Sequence, residues 1–285
     1  MIDSIAKEHK NLKKLYDKGD SPLDELANLA VECLLLISSQ AKKEEYSRVD
    51  DKKYLIYSSN NIKSRPVNSS LFIESSEEFQ KGWRELLSSI DVEKCSSSLP
   101  EDKINNVIYT SIMGFCICFD IWKTKSRKTP GTHFEVLLGS LLQQFLPSFS
   151  REKFVTLPEQ DEKVSTDIVF DKGGKGLVIP AKITTRERIV QPYAHQRILD
   201  SIFGEQRYRS ILLCVSETQR DDDNRHVNDI CVPGTLKLFQ AHLSRLAGLY
   251  YLDPPSRYLN KDISDLIVVG NFGKLLKNDL KKLVG

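Results

Sequence analysis

Apolar side chains recur along this chain at two different spacings, and the change between them divides it. Leu23, Leu26, Leu29, Ala30, Cys33, Leu34 and Ile37 fall three and four apart, which predicts a helix with one buried stripe. Ser21-Pro22 ahead of Asp24 and Glu25 supplies a capping hydroxyl, a proline for the first turn and acids for the positive end of the helix dipole. Ile5, Leu12, Leu15 and Tyr16 predict a weaker amphipathic helix before it. Ser75-Ser76-Glu77-Glu78 caps another, running through Phe79, Trp83, Leu86, Leu87 and Ile90. From Pro100 to about Trp122 the apolar residues cover more than one face, as in a central, buried helix. A basic turn, Lys123 to Gly131, precedes a further helix with Phe134, Leu137, Leu138, Leu141 and Leu142 inside. The polar stretch from Ser47 to Ser70 predicts a loop or a short hairpin.

Downstream the pattern shortens. Asp167-Ile168-Val169-Phe170 and Gly176 to Lys182 are β-rich runs on either side of Asp171-Lys172-Gly173-Gly174-Lys175, and they predict a hairpin. Ile211 to Val215 and Leu266 to Val269 are continuous apolar runs, expected as buried strands. Asp221-Asp222-Asp223 is polar enough to be expected as a loop. The predicted fold is α/β: a mixed central sheet flanked by helices, with a helical N-terminal region over 1–124 and the hairpin-bearing region over 125–285, as separate units or one continuous domain.

With 40% hydrophobic and 28% charged residues the 285-residue chain has ordinary globular composition, which excludes wholesale disorder. Its net charge of +2, from 41 basic and 39 acidic side chains, says less than where those charges cluster. The six cysteines include no CxxC pair, and the start Met1-Ile2-Asp3-Ser4 is no signal peptide, so reduced thiols and a cytoplasmic location are expected. No apolar run reads as a membrane span, and no membrane partner is expected. P-loop, GxSxG and dinucleotide-binding signatures are absent.

The chemistry concentrates between Lys163 and Gln196. Antiparallel pairing of the hairpin brings the start of one strand, Asp167, to the end of the next, Lys182. A Lys closing an apolar strand is costly to desolvate without an anionic neighbour. A carboxylate for a hard divalent ion and an amine to orient water and offset charge on a phosphorane suit phosphodiester cleavage.

Asp167, Lys182 fifteen positions on, and Glu135 on an upstream helix together resemble the PD-(D/E)XK core of type II restriction endonucleases. Arg186-Glu187-Arg188, directly after Ile183-Thr184-Thr185, resembles the R-(D/E)-R element of the group that cuts at CCGG or gapped CC…GG sites. The likeness covers roughly 125 to 270. It implies sequence-specific, Mg2+-dependent cleavage of double-stranded DNA, with Asp167 and Glu135 as metal ligands, Lys182 positioning water, and Arg186, Glu187 and Arg188 reading bases. Lys125, Arg127 and Lys128 suit the phosphate backbone, and a two-fold symmetric DNA site favours a homodimer, with higher assemblies open.

Two positions depart from that pattern. Thr166 stands where a Pro usually precedes the first acid, and Pro180 stands where a second acid is expected two residues before the Lys. The CCGG group takes its missing carboxylate from the next helix, where this chain has His195 and Gln196. Glu135 therefore gains weight as the second carboxylate. Two other readings follow from the same residues: a DNA-binding protein with a degenerate nuclease core, and an interaction protein without nucleic acid.

Overall fold

The computed structural model describes residues 1–49, 52–158, 162–205 and 207–285, with the side chains of Arg48, Val49, Arg186 and Glu187 outside that description. The chain opens with α1 (Ile2–Asp17) and α2 (Leu23–Gln40). The α2 stripe is buried as its spacing predicts, although Pro22 rather than Ser21 takes the capping position. The polar stretch that follows is more ordered than expected. It forms a four-stranded sheet of β1 (Lys42–Val49), β2 (Lys52–Ser59), β3 (Ile62–Lys63) and β4 (Val67–Asn68), in which β2 pairs with the other three. Only Tyr54-Leu55-Ile56-Tyr57 is apolar enough to signal a strand; the partners are held by its ladder, which no local pattern reports.

After α3 (Ser76–Ser88), capped by Ser75 Oγ accepting from Glu78 N, and a small hairpin of β5 (Ile90–Asp91) and β6 (Ser96–Ser97), the 22-residue α4 (Glu101–Trp122) runs through the interior. This corrects one expectation: α4 is long and apolar enough to cross a membrane, but 89% of its apolar window is buried inside the protein. Its apolar sides are satisfied by protein packing. Then come α5 (Thr129–Phe145), β7 (Ser150–Thr156), β8 (Lys163–Lys172), β9 (Lys175–Ile179), β10 (Ala181–Lys182), a 3-10 turn (Arg186–Ile189) and α6 (Val190–Phe203). The chain continues through β11 (Tyr208–Ser216), β12 (Thr218–Asp221), β13 (His226–Asp229), α7 (Pro233–His242), β14 (Gly248–Asp253) and β15 (Val269–Gly270).

These make the predicted mixed sheet, flanked by helices, in the order β15-β14-β11-β9-β8-β7 with β10 also on β11. The β15, β14, β11, β9 and β10 pairings are parallel, and β8 runs antiparallel to β9 and β7. Leu266 and Val268 are exposed, so the run expected as a strand contributes only Val269–Gly270. The Asp221–Asp223 stretch is no plain loop. It turns the β12–β13 hairpin, where Arg225 takes φ +53, and Asp222 Oδ1 accepts from Tyr46 Oη at 2.7 Å. One apolar core runs from Ile5 on α1 through α4 and α5 to Leu280, so helices from early in the chain and strands from late in it bury the same surface. Tyr250, Tyr251 and Tyr258 are buried in the interior and pack there. All six cysteines are free.

Candidate active site

The hairpin forms because Gly173 and Gly174 accept φ +63 and +75 in a two-residue turn between Lys172 and Lys175, with Asp171 Oδ1 taking the Gly174 N–H at 3.0 Å. Its ladder ends at Ile168–Ile179 because Pro180 has no N–H to offer. The Pro180 carbonyl still accepts from Leu213 N, so pairing to β11 carries on through Ala181 and Lys182. The Ala181 N–H, released from β8, donates to Asp167 Oδ2 at 2.7 Å, and Lys182 Nζ reaches the same oxygen at 2.7 Å. Both side chains keep about a fifth of their surface exposed, in the mouth of a cleft bordered by Lys163, Thr166, Gln191 and His195. Pro180 replaces an acid in sequence, yet it is the reason that Asp167 meets a main-chain donor.

Glu135 lies one turn and a half into α5, which packs against β8 and β10. Among the described residues no hydrogen bond or ion pair holds its half-buried carboxyl. Burial first, and the charge of Asp167 second, push it up to about 7 against an ordinary 4.5, with Lys182 opposing. The two carboxyls and the ammonium are thus within each other's fields. His195 also faces this cleft, and burial, then the Lys182 charge, hold its imidazole on the neutral side of the usual range. Gln196 turns away: its Nε2 donates to Tyr208 O at 2.9 Å and its Oε1 accepts from Ser210 N at 2.8 Å, stitching α6 to β11. Gln196→Ala is accordingly expected to cost about 1–2 kcal/mol in urea unfolding, through two main-chain groups left unpaired, while the activity of the folded protein changes less than about threefold.

Two carboxyls, one of them without a donor among the described residues, form a set suited to a hard divalent cation that completes its shell with water or phosphate oxygen. Among the described residues no group of three or more His, Cys, Asp and Glu side chains converges as a self-sufficient metal cage. The Arg188 side chain is exposed and its Nη2 donates to Thr184 O at 3.3 Å. The side chains of Arg186 and Glu187 lie outside the described residues, though the turn that carries them is set. Lys125, Arg127 and Lys128 are exposed before α5, and among the described residues none enters an ion pair. Arg127 lies at a second cleft on the other flank of Ile183-Thr184, with Lys63, Arg65, Lys123 and Arg220. Arg65 is engaged there by Asp120, through Nε and Nη2 at 2.7 Å each, so it anchors the β3–β4 loop. A larger hollow between α6 and α7 holds none of Glu135, Asp167 and Lys182.

Among solved structures, the crystal structure of the type IIP restriction endonuclease Kpn2I superposes with a TM-score of 0.87, at 37% identity, over 96% of this chain and 95% of that one. The chain belongs to the restriction endonucleases. The restriction endonuclease PspGI in complex with substrate DNA gives a TM-score of 0.47 at 12% identity, over 73% of this chain and 92% of that one, too distant to bear on the site. No protein-family model and no curated protein matches the chain. For a restriction endonuclease, sequence reasoning missed one residue beside the site: Glu217, buried at the end of β11, whose carboxylate grips Thr185. A lone Glu after an apolar strand carries no signal until the parallel register sets it beside the segment after Lys182.

Proposed function

We propose that this chain hydrolyses phosphodiester bonds of double-stranded DNA at a specific sequence, with Mg2+ as its divalent ion. The observation that carries the reading is the Asp167–Lys182 pair at 2.7 Å in an open cleft, within the electrostatic reach of Glu135 on α5. Asp167 and Glu135 would hold the ion, which when bound draws charge off the scissile phosphate and acidifies its water. Lys182 holds the attacking water by its ammonium and stabilises charge on the phosphorane oxygens. Neutral His195, at the rim, offers a nitrogen to the water network.

Arg186 and Arg188 donate to guanine edges and Glu187 accepts from cytosine, so the site read contains a CC/GG element. Lys125, Arg127 and Lys128 neutralise backbone phosphates. One such centre cuts one strand, so a homodimer places two centres across the two-fold axis of the site.

The test is digestion of a plasmid of known sequence by the purified protein, with Mg2+ or with a chelator, beside Asp167→Asn. Discrete fragments from the unaltered protein with Mg2+ alone are expected, and mapping their ends gives the sequence read. A plasmid left intact but retarded on a gel would instead mean a degenerate core that only binds DNA.

A further inference from the structure

Glu217 is 1% exposed, and its Oε1 accepts from Thr185 N at 2.9 Å, from Thr185 Oγ1, from Tyr251 Oη at 3.3 Å and from Cys214 Sγ at 3.8 Å. A buried carboxylate is tolerated only with such donors around it. Their placement is uneven in a telling way. Tyr251 and Cys214 belong to sheet strands, whereas Thr185 is the last residue before the turn that bears Arg186, Glu187 and Arg188. Thr185 is itself 1% exposed; its carbonyl accepts from Arg188 N at 2.9 Å, and its hydroxyl caps nothing in the turn because it is given to Glu217. Nearby, Ser216 N donates to Ile183 O at 3.2 Å, and Glu217 O accepts from Ile230 N at 2.8 Å. The chain from Lys182 to the turn is therefore zipped to the end of β11, and the zip terminates on the Glu217 carboxylate.

We propose that Glu217 is a positioning residue for sequence discrimination: by gripping the main-chain N–H and hydroxyl of Thr185 it fixes where the Arg186–Arg188 turn leaves the sheet, and so how the base-reading side chains meet the groove. The inference rests on the reading of this chain as a site-specific nuclease. A side chain that reads base edges by bidentate hydrogen bonds needs a root held to a fraction of an ångström, and a loosened root discriminates less even where overall binding survives. Lys182 and Asp167 precede the grip and keep their own bond, so the chemistry at the mapped site outlasts the loss of the grip.

The experiment compares the unaltered protein with Glu217→Ala, Thr185→Val and Thr185→Ser, on short duplexes bearing the site mapped from plasmid fragment ends and each of its single-base-pair variants. Single-turnover rates at saturating enzyme give the discrimination ratio. Glu217→Ala and Thr185→Val are expected to lower that ratio at least about tenfold at the base pairs read by the turn, with less than about a tenfold change at the mapped site. Thr185→Ser, which keeps the hydroxyl, restores discrimination. The double variant Glu217→Ala/Thr185→Val is no worse than Glu217→Ala alone, because one grip is lost in both. Thr185→Val retains the main-chain donor and nearly the same volume, so it decides the matter should Glu217→Ala fail to fold. Unchanged discrimination in folded Thr185→Val, or an equal loss at all sites, overturns the proposal alone. Failure of the unaltered protein to cut any DNA overturns the nuclease reading, and this proposal with it.

Discussion

Lys182→Ala is expected to lower the single-turnover cleavage rate by about 10²–10³-fold while DNA affinity in a gel-shift assay stays near that of the unaltered protein. The ammonium is 2.7 Å from Asp167 Oδ2, and both side chains remain about one-fifth exposed, so the site is open to a phosphate and to water. In a pair this far buried the cost of desolvating both charges offsets most of their attraction, so its net contribution to stability is small. Asp167 also keeps the Ala181 N–H when the Lys is gone, so its carboxylate is not stranded. Unfolding in urea should shift by less than about 1 kcal/mol. Lys182→Arg should not rescue the rate, since a planar fork on a longer reach cannot occupy the place of a compact ammonium beside the same oxygen. A Lys182→Ala protein that cuts within threefold of the unaltered rate would remove Lys182 from the chemistry and leave the pair as a structural tie.

The parts of this site that were legible in the sequence are those whose signal is local. Gly173-Gly174 between two apolar runs fixes a two-residue hairpin, and a hairpin of known length fixes that Asp167 and Lys182 meet. The apolar spacing of α2, α4 and α5 likewise gives helices directly. Whatever depends on partners far along the chain was hidden. The β1 and β3 strands have no apolar face of their own and exist because β2 pairs with them. The β12–β13 hairpin looks like a solvated acidic run until Tyr46 and Lys63 are brought to Asp222 from elsewhere. The membrane-like length of α4 is likewise undecidable without knowing that the chain wraps it. His195 and Gln196 are neighbours of similar polarity, and only the helix phase sends one to the cleft and the other to β11. Pro180 is the instructive case. Its absence of a carboxylate was legible, but its effect, freeing Ala181 N–H for Asp167, belongs to the ladder and not to the residue.

Glu135→Gln is expected to make the metal-free protein more stable and the nuclease about 10²-fold slower or worse, two effects of opposite sign from one carboxyl. In the folded chain burial and Asp167 push Glu135 up to about 7, against 4.5 when ordinary. Between those values the folded protein holds a proton that the unfolded chain has released. Stability contributed by this group therefore falls as pH rises from about 4.5, and the whole penalty is in place above about 7. A neutral amide of the same shape escapes it. In chelator at pH 8 the variant should unfold at higher urea, by about 1–2 kcal/mol once the water reaching a half-buried group is allowed for, and the gap should close towards pH 5. Mg2+ is expected to reverse the order, stabilising the unaltered protein at pH 8, progressively less below pH 7 where it would compete with a proton, and leaving the variant unmoved. Cleavage by the unaltered protein should decline over the same interval. Equal stability of the two proteins at pH 8 in chelator, with the same response to Mg2+, would place Glu135 outside the metal site and return the second ligand to an open question. Burial is the first cause of the raised Glu135 and Asp167 the second, and that second contribution is the same field that would draw a divalent cation to the two carboxyls.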